Sequence, residues 1–191
     1  MADPTSIVLY HSPGSRSGRT KMLLDLLELD YQTVIVDISK NENKDPSYLA
    51  INPYGVVPTL VHNDRVVFES AAQMMYLADL YSERGLAPAL DDPCRATYVE
   101  LFVLSPSEME RQVMGAWRNP DDPTSEKTIH GVLDLWEHRL VGPCFLGERM
   151  SALDVFLHWG LRFFSDEHLK GHERIVGYRD HMNERIDWSG Y

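Results

Sequence analysis

Three serines stand close together near the start of the chain, in Ser12-Pro13-Gly14-Ser15-Arg16-Ser17-Gly18-Arg19. They follow a short apolar run, Ile7 to His11, that is rich in strand formers. Met22, Leu23, Leu26, Leu27 and Leu29 come next at helical spacing, with Asp25 and Glu28 on the wet side. The pattern predicts a strand, a break and a helix, so the hydroxyls gather at a helix N-terminus, where Ser15 or Ser17 is placed to cap it. A second hydroxyl has the same setting. Ser70, with Gln73 three residues later, opens an apolar helix over Ala71 to Tyr81 and reads as a capping box. A helix N-terminus carries unpaired N–H groups and partial positive charge, and so suits a carboxylate ligand whether or not a serine caps it.

The stretch that must position Ser70 is Asn52-Pro-Tyr-Gly-Val-Val-Pro-Thr-Leu-Val-His-Asn-Asp-Arg-Val-Val-Phe-Glu-Ser70. Asn52 to Gly55 is dense in turn formers, and Pro53 cannot continue a helix. Val57 to Val61 and Arg65 to Phe68 are strand-like runs around His62-Asn63-Asp64, which predicts a tight hairpin running directly into the helix. Pro58 at the start of the first run marks an edge or a special peptide bond.

Tyr31 to Ile38 is expected as another strand, Asn41 to Asp45 as a polar turn and Pro46 to Ala50 as an irregular helical turn. Gly and Pro between residues 85 and 91 have the composition of a linker, with a boundary near Leu90. Beyond it the apolar spacing is helical. Cys94 to Trp117 predicts a long helix kinked by Pro106, and Ser125 to Leu140 a second. Ser151 to Asp154 is an N-terminal capping signal, with Met150 and Val155 placed for a hydrophobic staple and the helix reaching about Phe164. A last helix is expected from His172 to Arg185. The domains are then residues 1–84, a linker at 85–91, and an all-α domain over 92–191.

At 191 residues the chain is long enough to bury a sizeable core. Asp and Glu exceed Lys and Arg by 29 to 18, and the resulting net charge of −11 disfavours binding to phosphate backbones or anionic membranes. No apolar run approaches the ~18 residues of a membrane span, and Met1 to Ser6 lacks the pattern of a secretory signal. A cytoplasmic protein with no nucleic-acid or membrane partner is the expectation. Cys94 and Cys144 form no CxxC pair and read as reduced, structural thiols. His168 and His172 have Gly171 between them and no evident third ligand, so no metal and no cofactor is expected.

The pattern Asn-Pro-x-Gly-x-Val-Pro-x-Leu, the hairpin, Glu-Ser and a helix ending in Tyr-Leu-x-x-x-Tyr resembles the glutathione-binding half of soluble glutathione transferases. The β-α-β, β-β-α order over residues 7–84 is that family's thioredoxin-like first domain. Leu146-Gly147, Ser151, Asp154 and the Tyr178 to Arg185 helix resemble its helical second domain, shortened here. The resemblance implies an α/β thioredoxin-like domain followed by an all-helical one. It implies a cis Val57–Pro58 bond, with Val57 pairing through its backbone to the cysteinyl unit of glutathione, and Glu69 and Ser70 holding the γ-glutamyl end. Val56 is a departure, since the family often carries Lys or Gln there.

The chemistry implied is attack of the glutathione thiolate on a small hydrophobic electrophile, or a related isomerisation or cleavage. Lowering a thiol pKa from ~8.5 to ~6.5 takes roughly 3 kcal/mol of anion stabilisation. A hydroxyl hydrogen bond gives ~1.5–3 kcal/mol and a helix N-terminus ~0.3–1 kcal/mol, which together suffice. In serine-type members, such as the theta and zeta classes and bacterial relatives with a Ser-Arg-Ser segment, the hydroxyl stands four or five residues before an Arg. Arg19 makes Ser15 the match, with Ser17 and Ser12 as alternatives. Ser105, Met109, Gln112 and Met114 are candidates for the second substrate. A homodimer is implied, with glutathione as cosubstrate. The alternative is a non-catalytic binding or scaffold protein of the same fold, favoured by Val56 and the short second domain.

Overall fold

The computed structural model describes residues 6–189 and 191. They form two compact units, one reaching to Arg84 and joined by Trp188–Tyr191, the other running from Gly85 to Asp187.

The first unit is built on β1 (Ile7–His11), α1 (Ser17–Leu26), β2 (Gln32–Ile35), α2 (Pro46–Leu49), β3 (Thr59–His62), β4 (Arg65–Phe68) and α3 (Ser70–Leu80). The sheet order is β2-β1-β3-β4, with β1 parallel to β2 and antiparallel to β3, and β3 antiparallel to β4. This is the thioredoxin-like arrangement. Along β1 the buried positions alternate, Ile7, Leu9 and His11, as a strand with one covered face requires. Leu9 and Leu60 of the sheet, Leu23 and Leu24 of α1, Leu27 just after it, and Met74, Leu77 and Ala78 of α3 are all closed to solvent and make up the core.

β2 is shorter than its composition predicts. It ends at Ile35, Val36 N–H donates to the His11 carbonyl at 2.8 Å, and Asp37 then caps a 3₁₀ turn over Ile38–Lys40 by accepting from Ser39 N–H at 3.0 Å. A local carboxylate cap has overridden strand propensity. The predicted caps of α1 and α3 are also displaced. Arg16 and Glu69 occupy the N-cap positions without side-chain caps, and Ser17 and Ser70 are the first helical residues. The Ser70–Gln73 capping box is therefore not formed. Gln73 is instead buried, accepting from the Thr20 hydroxyl (2.8 Å) and donating to the carbonyls of Val67 (2.7 Å) and Pro58 (3.2 Å).

The second unit contains α4 (Arg95–Leu104), a π turn (Ser105–Met109), α5 (Glu110–Arg118), α6 (Ser125–Arg139), α7 (Ala152–Gly160), a short α8 (Asp166–Leu169) and α9 (Glu173–Asn183). The kink expected at Pro106 is absorbed by the π turn. Proline supplies no N–H there, and the Ser107 hydroxyl donates to the Val103 carbonyl within the same turn at 2.6 Å. Residues 85–91, expected as a linker, begin this unit, and the Leu86 carbonyl accepts Ala152 N–H at 2.8 Å. Tyr98, Phe102, Trp136, Phe145, Phe156 and Tyr178 form its aromatic core. α7 starts where the Ser-x-x-Asp spacing places it. The buried Asp154 carboxylate accepts Ser151 N–H, the Ser151 hydroxyl and Phe145 N–H, each at 2.8 Å. At the C-terminus, Tyr191 donates its hydroxyl to Asp25 and lies beneath Lys21, whose Nζ is 4.2 Å from the ring centre.

Candidate active site

The register of the sheet collects the candidate residues at one end of the first unit. Tyr10 pairs with Thr59, and Thr59 with Phe68. The chain therefore leaves β1 toward Ser12–Ser17, enters β3 from Val57–Pro58 and leaves β4 toward Glu69–Ser70, all at the same end of the strands. With strands about 4.8 Å apart, these three segments span roughly 10 Å. Gln73 binds them together, since its amide reaches Pro58, Val67 and Thr20 of α1.

Each segment is held locally. The Val57–Pro58 peptide is cis. Before it, the buried Asn52 donates to the Val56 carbonyl (2.9 Å) and Thr59 hydroxyl (2.8 Å) and accepts Tyr54 N–H (3.0 Å). Tyr48 from α2 adds a hydrogen bond to the same Val56 carbonyl at 2.6 Å. Gly55 has φ +59°, and a Cβ there would lie 2.7 Å from the Asn43 carbonyl, so only glycine fits the turn. The Gly55 carbonyl in turn accepts from Asn43 (2.7 Å) and Lys44 (2.8 Å). The Val57 backbone is thus presented by a rigid loop, with Val56 exposed beside it.

Glu69 is exposed at φ 64° and ψ 119°, a left-handed φ that glutamate adopts only under constraint. It directs the chain from β4 into α3 and leaves Ser70 in the helix's first turn, where main-chain N–H groups lack helical partners.

The three serines of the first turn have unequal freedom. Ser17 is 0% exposed. Its Oγ lies 2.7 Å from His11 Nδ1 and 2.6 Å from Ser15 Oγ, receives Ser12 N–H at 3.0 Å and stands 3.1 Å from the Ser12 carbonyl. Ser12 is buried, and Ser15 is half-buried, its Oγ also accepting Ser17 N–H at 3.2 Å. Arg19, which marked Ser15 in the sequence, is buried in the first turn of α1. His11 is 2% exposed, and burial, followed by the Lys21 charge, pushes its pKa below the ordinary histidine value. Sequence reasoning took His11 only as a strand residue. The alternation with Ile7 and Leu9 was the available sign that its imidazole is buried and needs a partner. Asn52 and Gln73 were likewise read only as a turn former and half of a cap.

In the second unit, Ser105 and Met109 are buried, the Ser105 hydroxyl 3.6 Å from the Met109 sulfur, which also accepts Trp136 Nε1–H at 3.1 Å. Both are core contacts, whereas the candidates Gln112, which donates to Glu108 at 2.7 Å, and Met114 are partly exposed. Cys144 is buried, and that burial, reinforced by Asp154, pushes its thiol up to about 11. A buried thiol with a raised pKa holds little thiolate near neutral pH, which fits a structural cysteine.

A sequence model described as the N-terminal domain of glutathione S-transferase matches residues 5–79. The chain is 32% identical to glutathione S-transferase F9 of Arabidopsis thaliana over 71% of each protein. It is 27% identical to glutathione S-transferase F10 of the same plant, over 95% of this chain and 94% of that one. Among solved structures, a glutathione transferase homolog from Sulfitobacter with bound glutathione superposes with a TM-score of 0.82 at 26% identity, covering 96% of this chain and 95% of that one. A glutathione transferase from Methylococcus capsulatus gives 0.79 at 29% identity, over 94% and 93%. The fold, the three segments gathered at one end of the strands and these likenesses lead to one conclusion: the chain belongs to the glutathione S-transferase family.

Proposed function

We propose that the chain is a glutathione transferase in which Ser15 donates the hydrogen bond that stabilises the glutathione thiolate. Val57, beside Pro58, pairs with the cysteinyl backbone, and Glu69 and Ser70 hold the γ-glutamyl end. The enzyme reading is preferred to a non-catalytic scaffold. The chain spans 94% of one transferase relative, so a shortened second domain carries little weight against it. The single observation that supports the site is the register. An extended tripeptide reaches about 10 Å, and roughly 10 Å separates the serine turn from Glu69–Ser70 across the strand that follows Val57. Ser15 is favoured over Ser17 and Ser12 because only its side chain is accessible. The reaction is thiolate attack on, or isomerisation or cleavage of, a small hydrophobic electrophile.

No helix among the described residues is long and apolar enough to cross a membrane. A cytoplasmic homodimer completes the reading, and light scattering showing a species near 22 kDa would refute the dimer.

Ser15→Ala should lower kcat/KM by the ~1.5–3 kcal/mol of a charge-assisted hydrogen bond, roughly ten- to two-hundred-fold. Full activity in that variant would move the role to Ser17 or Ser12. Glutathione should raise the melting temperature by mass action, and Ser70→Ala should remove most of the shift. No shift at millimolar glutathione would remove the basis of the reading.

A further inference from the structure

Ser17 Oγ has four polar neighbours: Ser12 N–H, the Ser12 carbonyl, His11 Nδ1 and Ser15 Oγ, at 3.0, 3.1, 2.7 and 2.6 Å. A hydroxyl offers one proton and two lone pairs. Ser12 N–H occupies one lone pair. One lone pair and the proton remain; the proton can reach the Ser12 carbonyl at 3.1 Å, Ser15 Oγ at 2.6 Å or a bare His11 Nδ1 at 2.7 Å, and the two shorter contacts outcompete the carbonyl, which lies beyond the usual O–H···O distance. If His11 carries hydrogen on Nδ1, it fills the second lone pair. Ser17 then passes its own proton to Ser15, and the Ser15 hydrogen is turned away from the turn. If Nδ1 is bare, it claims the Ser17 proton, and Ser15 turns its hydrogen inward. The Ser12 carbonyl is satisfied in both cases, since it accepts Ser15 N–H at 3.1 Å.

We propose that His11 is a positioning residue: as an Nδ1–H donor at the buried end of the chain His11–Ser17–Ser15, it aims the Ser15 hydrogen at the glutathione sulfur. This rests on Ser15 being the thiolate's partner. An anion beside Ser15 selects this arrangement, because an anion is met only by a hydrogen, and each donor behind Ser15 strengthens the one before it. No bond is made or broken within the chain, and the thiol proton leaves to solvent. The imidazole serves as a neutral donor. It is buried, and the charged side chain acting on it is Lys21 of α1, which disfavours a second positive charge there.

The test is the apparent pKa of the glutathione thiol bound to the full chain, read from thiolate ultraviolet absorbance. The pH profile of kcat/KM with an aryl halide is measured alongside it. The variants are His11→Leu, His11→Asn, Ser17→Ala, Ser15→Ala and the His11→Leu, Ser15→Ala double. Asparagine places an N–H near Nδ1, whereas leucine has no donor. His11→Leu and Ser17→Ala should each raise the thiol pKa by about 0.5–1 unit, a three- to tenfold loss of thiolate below it, with KM for glutathione little changed. His11→Asn should hold the wild-type value, and His11→Leu should add nothing to Ser15→Ala. An unshifted thiol pKa in His11→Leu, Asn behaving as Leu, or an activity loss equal at every pH overturns the proposal. Should His11→Leu fail to fold, Ser17→Ala and His11→Asn decide it by the same readings. The two levels separate cleanly. Ser15→Ala with an unshifted thiol pKa removes the Ser15 assignment itself, whereas a shift in Ser15→Ala but not in the His11 and Ser17 variants removes the relay alone.

Discussion

Glu69 sits at φ 64° where a glutamate Cβ is strained, a cost of about 1–3 kcal/mol that the surrounding structure must offset. The carboxylate is exposed there, just ahead of the α3 N-terminus. Replacing Glu69 separates strain from function. Glu69→Ala keeps the strained backbone and Glu69→Gly relaxes it, so without ligand the glycine variant should be more stable than the alanine variant by about 1 kcal/mol. Both should lose the melting shift given by glutathione. A full shift in either variant would show that the carboxylate does not contribute to binding. The sequence marked this position through Glu-Ser, yet the Ser-x-x-Gln spacing suggested Ser70 as the cap, one residue too late. Spacing cannot report a left-handed φ on a glutamate. Nor does it show that a glutamine three residues into a helix will be claimed by the Val67 and Pro58 carbonyls. The hydroxyls of the first turn were legible as a group, and what separates them, burial and the His11 contact, is tertiary.

Among the elements, the start of α7 was the most legible, though the helix ends at Gly160 and a 3₁₀ turn over Leu161–Phe163 takes the place of its expected last turn, and α4 to α5 were the least. The Ser-x-x-Asp signal before α7 is local, so a short-range pattern suffices to place it. Its strength is tertiary, because Asp154 also takes Phe145 N–H from the preceding loop, and the Tyr178 hydroxyl donates to the Asp154 carbonyl at 3.0 Å. Asp154→Ala would leave two buried N–H groups and a hydroxyl without their acceptor, and should destabilise the second unit by about 2–4 kcal/mol. Ser151→Ala, which removes one donor and leaves the carboxylate two, should cost about 1 kcal/mol. Urea unfolding of the two variants checks the order, and equal losses would mean that the cap acts as a purely local pair. The π turn was foreseen only as a kink. Pro106 announces a missing N–H, but whether the helix bends or widens is decided by hydrogen bonding within the turn, which residue types alone do not report.

At the scale of the whole molecule, burial of one histidine predicts a loss of stability in mild acid. His158 is buried in α7 with Nε2 3.0 Å from the Asn183 side-chain oxygen. Burial pushes its pKa down to about 4; Asn183 opposes the shift and the Arg179 charge adds to it. The imidazole is therefore neutral in the native protein at pH values where it is already charged in the unfolded chain, whose histidines titrate near ~6.5. Above pH ~6.5 both states are neutral and His158 makes no pH-dependent contribution. Below it the unfolded state binds a proton that the native state refuses. Stability should then fall as the pH drops from about 6.5 toward about 4, by up to roughly 3 kcal/mol from this group. Asp25 acts in the same direction, since its carboxyl is held below the usual range by hydrogen bonds from Tyr191, Tyr31 and Lys21 that outweigh its partial burial, and that stabilisation is lost as it protonates. Composition gave no sign of either, because a count of histidines does not say which are buried. Denaturant unfolding followed by the helical signal between pH 7.5 and 4.5 should show the decline. His158→Gln, which retains a hydrogen-bonding partner for Asn183 but no group that charges, should flatten it while costing some stability at pH 7.5. A pH slope unchanged in His158→Gln would assign the acid sensitivity to the carboxylates instead.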